Sequence, residues 1–451
     1  MQLSHWLVQF AQDRGLAYFQ DNLFNVIIYK PASPGYEDHP ALLIQAHMDM
    51  VCEKAPESTH NFETDPLELY VEGDHLRAKG TTLGADDGMG CAYMLAFLDD
   101  KTLAHPALEC CFTTQEEVGM GGALNLKPEY FKARQMINLD GAGEYKTYMS
   151  MGGGKRIALR KDIAFEPVDE STYRLKVDGL LGGHSGGMID KERANANKLV
   201  ARVLYHLLLK GIPLQLVQMD GGTKLNVITS LAEAVFISNV EFSDLQAFVS
   251  ACAKDIALEY EFSDPGIHIV LSEEPQAKQA MSAKLSKQVI ELLYLLPYGM
   301  KAKSMVLENL PIASVNLGIV ATHEDHIEFA LSMRSALDSW ILELQNEVIL
   351  LAKLFEASYE LSDSYPGWRY EKVSPLREKM CLVFEEVYQQ PLACLAGHGG
   401  NECGVFKKMH PDMDIVTSGA IYGLIHTPDE FLDLASFDRT YHFLTTFLSR
   451  L

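Results

Sequence analysis

The sequence lacks several features that mark particular classes of protein. No apolar run within its 451 residues approaches the ~20 residues that a membrane-spanning helix needs, so no membrane partner is expected. Basic residues are in the minority, with 38 Lys and Arg against 61 Asp and Glu and a net charge of −23. That balance argues against nucleic acid as a partner. The opening residues show no secretory signal, so we expect a cytoplasmic protein.

Paired cysteine motifs are also absent. The eight cysteines form no C-x-x-C pair, which predicts free thiols in a reducing compartment and no zinc knuckle. Cys403 lies in a Gly-rich segment, where it is either a nucleophile or a thiol buried beside a site. The 47% hydrophobic and 22% charged residues are typical of a folded globular protein, and the length predicts two or three domains.

Three short apolar stretches, residues 41–46, 108–114 and 135–139, predict buried strands of an α/β sheet. Polar residues follow each stretch: His47 and Asp49 after the first, Glu116 and Glu117 after the second, and Asp140 after the third. Ligands of open α/β sheets bind at the carboxyl ends of the strands. A lone His-x-Asp would otherwise indicate a surface turn, but three such strand ends together indicate a site.

Residues 79–90, KGTTLGADDGMG, place adjacent carboxylates in a glycine-rich turn. Asp86 and Asp87 repel each other unless a cation or a cluster of donors neutralises them. The next residues predict a buried helix, so the pair could also be an ordinary helix cap. Both interpretations are open from this stretch alone.

Three consecutive glycines at 152–154 predict a hinge into a second domain. Residues 173–334 alternate between strand and helix patterns that indicate an α+β layer with one antiparallel sheet. Residues 365–368 predict a return linker. We therefore expect a catalytic domain over 1–151 and 368–451, and an inserted lid and dimerisation domain over 152–367.

The polar residues at the strand ends, with Asp86 and His426, form a possible donor set for metal. Imidazoles and carboxylates without thiolates suit a pair of divalent ions such as zinc, cobalt or manganese. Two such ions activate water and polarise a carbonyl together, and one carboxylate must then bridge them.

The sequence closely resembles the co-catalytic zinc peptidases of the aminoacylase and carboxypeptidase G2 group, and within it the branch of bacterial cytosolic Xaa-His dipeptidases. The motifs that carry this resemblance span nearly the whole chain, in the order HMDMV, KGTTLGADDGMG, TQEEVGMGGA, INLDG, LLGGHSGGMI, NANKLV, GGTKLNVI, MRSALDS, YPGW, GGNECGVFKK and IHTPDE. The resemblance implies a mixed-sheet di-metal domain with an enlarged, ferredoxin-like α+β lid, and a homodimer formed through that lid.

The resemblance also divides the metal donors between two ions, with zinc expected. His47 and Asp140 would bind one ion, and Asp86 would bridge it to the other. Glu117 and His426 would complete the second ion's ligands.

Three further residues would act in catalysis. Asp49 would orient His47. Glu116 would be the general base that takes a proton from the metal-bridging water and passes it to the leaving amine. His184 would stabilise the tetrahedral oxyanion, although between paired glycines it could also cap a turn.

The remaining carried-over residues would bind substrate. Asn226 and Arg334 would bind the C-terminal carboxylate or the oxyanion, although Arg334 on a strand could instead form a structural ion pair. Gly399, Gly400 and Glu402 would hold the rest of the dipeptide, with Glu402 paired to the free α-amino group.

The sequence departs from the family pattern in three places. It begins at what resembles the family's second helix, so we expect a truncated start or a partial sequence. Asp87 stands where close relatives often carry Asn, and Asn401 replaces an expected apolar residue. The resemblance implies a cis peptide bond between Asp86 and Asp87.

The expected activity is hydrolysis of unblocked dipeptides, broad in the first residue and including β-Ala-His and other Xaa-His substrates. Two alternatives use the same scaffold, an N-acyl-amino-acid deacylase and a tripeptide aminopeptidase. A protein that binds metal or peptide without catalysis is a third.

Overall fold

The computed structural model describes residues 1–141 and 143–451. Its helices are α1 Gln2–Asp13, α2 Ala85–Asp99, α3 Gly121–Asn125, α4 Ser185–Met188, α5 Ala196–Leu209, α6 Phe242–Glu259, α7 Ala283–Leu295, α8 Asp338–Leu354, α9 Pro375–Tyr388, α10 Cys403–Met409 and α11 Leu434–Leu448. Short 3-10 helices cover Pro128–Tyr130 and Ile189–Lys191. Among these residues no helix is both long and apolar enough to cross a membrane.

The strands of the first third of the chain are β1 Ala17–Gln20, β2 Val26–Lys30, β3 Leu42–His47, β4 Leu69–Glu72, β5 His75–Ala78, β6 Leu108–Thr113, β7 Gln135–Asn138 and β8 Lys146–Tyr148. The middle strands are β9 Gly153–Asp162, β10 Phe165–Pro167, β11 Ser171–Asp178, β12 Gly183–His184, β13 Gln215–Gly221, β14 Val227–Ile228, β15 Ala232–Ser238, β16 His268–Glu274, β17 Gln279–Met281, β18 Gly299–Lys303, β19 Pro311–Thr322, β20 His326–Ser335 and β21 Ser358–Tyr365. The last strands are β22 Ala393–Leu395, β23 Asp414–Thr417, β24 Tyr422–Gly423 and β25 Phe431–Asp433.

The chain divides into two compact units. Unit 1 comprises residues 1–151, 367–396 and 401–451, and unit 2 comprises residues 152–366 and 397–400. These bounds lie within one residue of the expected ones except at 397–400, which we had expected in the catalytic domain. The roles of lid and dimerisation domain for unit 2 stay predictions.

Unit 1 is built on a mixed six-stranded sheet in the order β1-β2-β6-β3-β7-β23. Strands β6, β3, β7 and β23 run parallel to one another. At one edge of the sheet, β2 pairs antiparallel with β6, and β1 pairs antiparallel with β2. Every residue of β3 and β6 is buried, which explains why both strands are mainly apolar, although Gln45 and Glu109 are also buried in them. The core of the unit joins this sheet to side chains of α1, α2, α9 and α11. The expected mixed α/β fold is confirmed.

Unit 2 contains an antiparallel sheet in the order β16-β11-β15-β13-β19-β20-β9-β21, with β18 paired to β19. Helices α5, α6, α7 and α8 pack along this sheet and contribute to a single apolar core. The expected α+β layer is therefore present. Strands β9 and β21 lie outside the stretch 173–334 whose pattern predicts this layer, so neither was expected.

Candidate active site

Parallel strands of unit 1 bring the predicted residues to one edge of the sheet. His47 is the last residue of β3 and lies opposite Thr113, the last residue of β6. Glu116 and Glu117 follow Thr113 in a turn, and Asp140 lies two residues beyond the end of β7. The carboxyl ends of three neighbouring strands thus supply imidazole and carboxylate groups at a shared edge, as the sequence predicts.

Asp86 contacts two different imidazoles through its two oxygens. Its Oδ1 lies 3.1 Å from Nε2 of His47, and its Oδ2 lies 3.7 Å from Nε2 of His426. The same nitrogen of His426 lies 3.0 Å from Oε1 of Glu117. His47, Asp86 and Glu117 each offer a ligand atom, and these atoms lie within 4.8 Å of one another. The Asp86 carboxylate therefore lies between His47 on one side and the pair of His426 and Glu117 on the other.

The turn that carries Asp86 has an unusual backbone. The Asp86–Asp87 peptide bond is cis, which confirms the expectation. Helix α2 includes both residues, but their φ and ψ angles are not helical. Gly90 gives Asp87 room, since a Cβ on Gly90 would lie 2.5 Å from Oδ1 of Asp87. Without a side chain at Gly90, its backbone N–H donates a hydrogen bond to the same Oδ1 of Asp87 over 3.0 Å.

Asp49 contacts His47 differently from the expectation. Nδ1 of His47 lies 2.9 Å from the backbone oxygen of Asp49, while the nearest carboxylate oxygen is 3.8 Å away. The two carboxylate oxygens instead accept the backbone N–H groups of Glu116 and Glu117, at 3.1 and 3.2 Å. The backbone carbonyl of Asp49 therefore orients His47, and its carboxylate holds the turn that carries both glutamates.

The imidazoles sit in a strongly negative environment. Burial opposes the charge of His47, but the hydrogen bond with Asp86 and the nearby charge of Asp140 raise its pKa well above the ordinary value. The nearby carboxylate of Asp86 and the hydrogen bond with Glu117 raise the pKa of His426 to about 10. Burial disfavours the charge of Asp86, but the nearby imidazole of His426 and the hydrogen bond with His47 hold its pKa well below the ordinary range.

Glu116 and Asp140 show the opposite shift in pKa. Burial, with the charges of Glu117 and Asp86, raises the pKa of Glu116 to about 7 against the lowering effect of His47. Burial and the charge of Asp86 raise the pKa of Asp140 well above normal. Oδ2 of Asp87 is buried without a hydrogen-bond partner among the described residues. Carboxylates that repel one another around two imidazoles are a donor set that divalent cations would neutralise, so the residues fit a metal site.

Glu402 lies beneath the strand ends and not on an open surface. It is 1% exposed, and its Oε2 accepts hydrogen bonds from Nε2 of Gln45 at 2.5 Å and Oγ1 of Thr113 at 2.6 Å. Oε1 has no partner in the described part of the chain. Burial and the charge of Glu116 raise the pKa of Glu402 to about 8. Its pairing with a substrate amino group stays a prediction.

Unit 2 brings three other predicted residues near one another. The backbone N–H of Gly186 donates to Nδ1 of His184, and a Cβ on Gly186 would lie 2.9 Å from the His184 ring and 3.4 Å from Cζ of Arg334. Asn226 accepts the backbone N–H of Ser185 at 2.8 Å through its backbone oxygen. Burial and the charge of Arg334 lower the pKa of His184, so its imidazole is neutral at neutral pH.

Tyr365 connects Arg334 with the predicted glycines. Nη1 of Arg334 donates to the Tyr365 hydroxyl over 3.0 Å, while Nε of Arg334 is buried without a partner in the described residues. A Cβ on Gly400 would lie 2.2 Å from the Tyr365 ring, so only glycine fits there. The backbone oxygen of Gly399 accepts the N–H of Gly152 at 2.8 Å.

Two candidate site residues, Tyr365 and Glu430, were not predicted from the sequence. Tyr365 was expected only as part of a linker. Glu430 ends the IHTPDE motif, but its carboxylate accepts backbone N–H groups at the start of α2, far away in sequence. Its place in the same IHTPDE motif as His426, four positions later, was the available clue.

The fold and this arrangement match a known family. Residues 43–450 match peptidase family M20/M25/M40, and the chain belongs to this family of metal-dependent peptidases.

Two similar proteins match the whole of this chain and more than nine tenths of their own length. The chain is 33% identical over 454 residues to the cytosol non-specific dipeptidase of Escherichia coli (strain K12), covering 100% of this chain and 93% of that protein. It is 31% identical to the aminoacylhistidine dipeptidase of Vibrio alginolyticus, whose crystal structure matches with a TM-score of 0.92 over 100% of this chain and 92% of that one. The aminopeptidase PepT of Bacillus cereus, at 15% identity and a TM-score of 0.54 over 99% of this chain and 91% of that one, shares the fold.

Proposed function

We propose that this protein is a metal-dependent dipeptidase that hydrolyses unblocked dipeptides, including Xaa-His substrates of the β-Ala-His type. One observation carries the proposal: Asp86 stands between two imidazoles, in the same carboxylate cluster as a glutamate whose pKa is near neutrality. The activities that name the Escherichia coli and Vibrio alginolyticus relatives support the choice of substrate. The name of the first also supports a cytosolic location.

Two divalent ions, with zinc preferred, are part of the proposal. His47 and Asp140 would hold one ion, Glu117 and His426 the other, and Asp86 would be shared. The two Asp86 oxygens, each near a different imidazole, support this division. When bound, such ions lower the pKa of water and polarise a peptide carbonyl.

Glu116 is the proposed general base. A carboxylate accepts a proton from the attacking water and then delivers it to the departing amine, and transfer is most efficient when its pKa is near the working pH. In the metal-free protein, burial raises the pKa of Glu116 to about 7. Asp49 would position Glu116, because its carboxylate accepts the Glu116 backbone N–H.

Unit 2 is proposed to supply the groups that bind the substrate's negative charge. A neutral His184 would donate a hydrogen bond to the developing oxyanion. Nε–H of Arg334 is buried without a partner among the described residues, and with Asn226 this arginine would bind the C-terminal carboxylate. Gly399, Gly400 and Glu402 would hold the rest of the dipeptide, with Glu402 paired to its free α-amino group.

A homodimer formed through unit 2 completes the proposal. Sedimentation or light scattering of the full chain would measure the mass in solution. A monomer over the concentration range of the activity assay would contradict the dimer without affecting the proposed chemistry.

A panel of three substrates tests the activity. Zinc-loaded protein is assayed with Ala-His, N-acetyl-His and a tripeptide, and bound metal is measured in the same preparation. We expect Ala-His to be cleaved at the highest kcat/KM, with about two ions per chain. Preferred cleavage of N-acetyl-His or of the tripeptide would favour a deacylase or a tripeptide aminopeptidase instead, and metal-loaded protein inactive on all three would indicate a binding protein.

A further inference from the structure

Glu430 is a buried carboxylate with an unusual set of partners. It is 2% exposed and lies four residues after His426. Its Oε2 accepts the backbone N–H groups of Leu83 at 2.7 Å and Gly84 at 3.0 Å. Its Oε1 accepts those of Ala85 at 2.8 Å and Asp86 at 3.3 Å, so one side chain contacts four successive amides.

These amides belong to the start of α2, where a helix leaves backbone N–H groups without partners. Side chains next to the helix usually accept them, but Gly84, at the cap position of α2, has no side chain to do so. Glu430 takes that role from 344 to 347 residues away in the chain. A charged acceptor also interacts favourably with the positive end of the helix dipole.

The same contacts reach the proposed metal donors. Asp86 is the last of the four residues whose amides Glu430 accepts, and His426 lies in the same short segment as Glu430. A further hydrogen bond, from the N–H of Glu430 to the oxygen of Thr427, stiffens that segment. The backbone positions of Asp86 and His426 are thereby tied to each other by one side chain.

We propose that Glu430 is a positioning residue that sets the geometry of Asp86 and His426 for metal binding. The inference rests on the proposed function, because it assumes that these two residues bind metal. Groups that orient metal ligands typically change metal affinity by 10–100-fold when they are removed. Glu430 acts through the backbone and touches no reacting atom.

Zinc affinity of the full-length protein tests the proposal. Metal-stripped wild type and Glu430→Gln are titrated with zinc alone by calorimetry. We expect the variant to bind zinc about 10–100-fold more weakly, because the neutral amide accepts fewer of the four N–H groups and its own N–H group opposes them. Glu430→Asp, which keeps the charge on a shorter side chain, should lie between the two.

A matched control is available in the same unit. Glu109 is a buried carboxylate that accepts the backbone N–H groups of Lys132 and Ala133. It lies near the amino end of β6, away from the carboxyl ends of the strands that carry the proposed site. Glu109→Gln should lower thermal stability but leave zinc affinity unchanged. If Glu430→Gln or, should that variant not fold, Glu430→Asp binds zinc as tightly as Glu109→Gln, the proposal is wrong. Wild type that binds no zinc would overturn both this inference and the proposed metal site.

A separate observation concerns two cysteines of unit 1. Sγ of Cys381 on α9 lies 3.7 Å from Sγ of Cys394 on β22, and both residues are partly exposed. Cys91, Cys110, Cys111 and Cys403 are buried. A hydrogen bond from the Cys381 thiol lowers the pKa of Cys394 to about 7, helped by the charge of Arg377.

We infer that Cys381 and Cys394 form a reversible disulfide when the protein meets a small hydroperoxide. The Cys394 thiolate attacks the peroxide oxygen, breaks the O–O bond and becomes a sulfenic acid as the peroxide leaves as water or an alcohol. The Cys381 thiol then attacks that sulfur, forms the S–S bond and releases water. Two thiols lose two electrons and two protons, and the peroxide is reduced.

Hydrogen peroxide treatment of the full-length protein tests this site. We expect a non-reducing digest to contain the peptides of Cys381 and Cys394 joined, lighter by two hydrogen atoms, and separated again by dithiothreitol. In Cys381→Ser, Cys394 should remain as a sulfenic acid that dimedone labels. The exposed Cys52 is the internal control: peroxide that oxidises Cys52 fully without joining the pair would overturn the inference.

Discussion

The candidate site residues of the two units differ in charge: carboxylates predominate in unit 1, whereas unit 2 has an arginine and neutral histidines. Unit 1 gathers Asp86, Asp140 and two glutamates around two imidazoles, and burial there raises the pKa of Glu116 and Asp140. Unit 2 gathers Arg334, His184 and His398, and burial with the Arg334 charge lowers the pKa of both histidines, that of His398 to about 3. Unit 1 is thus suited to hold cations, and unit 2 to bind an anion with neutral and positive donors.

The comparison shows how one chain separates two tasks. Carboxylates close enough to share cations repel one another without them, so they need a rigid frame such as parallel strand ends and a clamped helix start. An anion site needs hydrogen-bond donors that are free to bind the ligand, and among the described residues the buried Nε–H of Arg334 has no other partner. Four substitutions test this division, from the largest expected effect to the smallest.

Removal of the proposed base should have the largest effect. Glu116→Ala should lower kcat by roughly 10²–10⁴-fold, because no other group is proposed to move the proton. Metal content, measured on the same sample, should be unchanged, because Glu116 is not a proposed ligand. Near-normal turnover in this variant would contradict the role of Glu116 as general base. It would also remove the reason for assigning proton transfer to unit 1.

Arg334→Lys tests the anion-binding side. Lysine keeps the charge but loses the planar fork, so we expect kcat/KM for Ala-His to fall by about 10–100-fold, as for a lost charge-assisted hydrogen bond. Steady-state kinetics measures it. The control is Arg174→Lys, an arginine of the same sheet that pairs with Glu233 and Glu274. Equal effects of the two substitutions would show that Arg334 has only a structural role.

Glu402→Gln tests the effect of burial on a carboxyl group in unit 1. The folded-state pKa is about 8 against an ordinary value of 4.5, so the folded chain holds more protons between these pH values. Wild-type stability should therefore fall as pH rises from about 4.5 to 8, by at most about 1.4 kcal/mol per pH unit from this group. The neutral variant lacks that loss, so its stability relative to wild type should increase with pH and level off above about 8.

Urea unfolding of metal-stripped wild type and Glu402→Gln at several pH values measures this difference. Other titrating groups are common to both proteins and cancel. A difference that stays constant from pH 5 to 9 would mean that Glu402 is ionised in the folded protein throughout that range.

Tyr365→Phe should have the smallest effect. The ring that packs against Gly154 and Gly400 stays, but the hydroxyl that accepts from Arg334 is lost. One hydrogen bond contributes about 1 kcal/mol, so KM should rise by about 5-fold with kcat nearly unchanged. Tyr359→Phe, on the same strand and exposed, is the control and should leave KM unchanged. An unaltered KM in Tyr365→Phe would remove Tyr365 from the anion-binding group.

The candidate site residues could be predicted from the sequence where a polar residue follows an apolar strand. Buried parallel strands are mainly apolar, so the change to His47, Glu116 or Asp140 after them is visible in sequence. In the antiparallel sheet of unit 2, polar and apolar residues alternate, and β9 and β21 carry so many charged or hydroxyl side chains that neither was expected.

Contacts that involve backbone atoms were not predictable in the same way. The carboxylates of Asp49 and Glu430 bind amides of distant segments, and an amide has the same chemistry whatever its residue type. The orientation of His47 by the Asp49 carbonyl was missed for the same reason. His398 is buried with its Nε2 2.7 Å from Oγ of Ser314, a partner that only the folded chain brings near.

The assignment of residues 397–400 to unit 2 has a consequence for work with fragments. The chain passes from one unit to the other at 151/152, 366/367, 396/397 and 400/401. A gene fragment for residues 152–366 alone would therefore encode unit 2 without four residues that pack with it, including Gly400 against Tyr365. Excising that fragment would also leave unit 1 with a broken chain, so the two units are best studied by point substitution in the intact polypeptide.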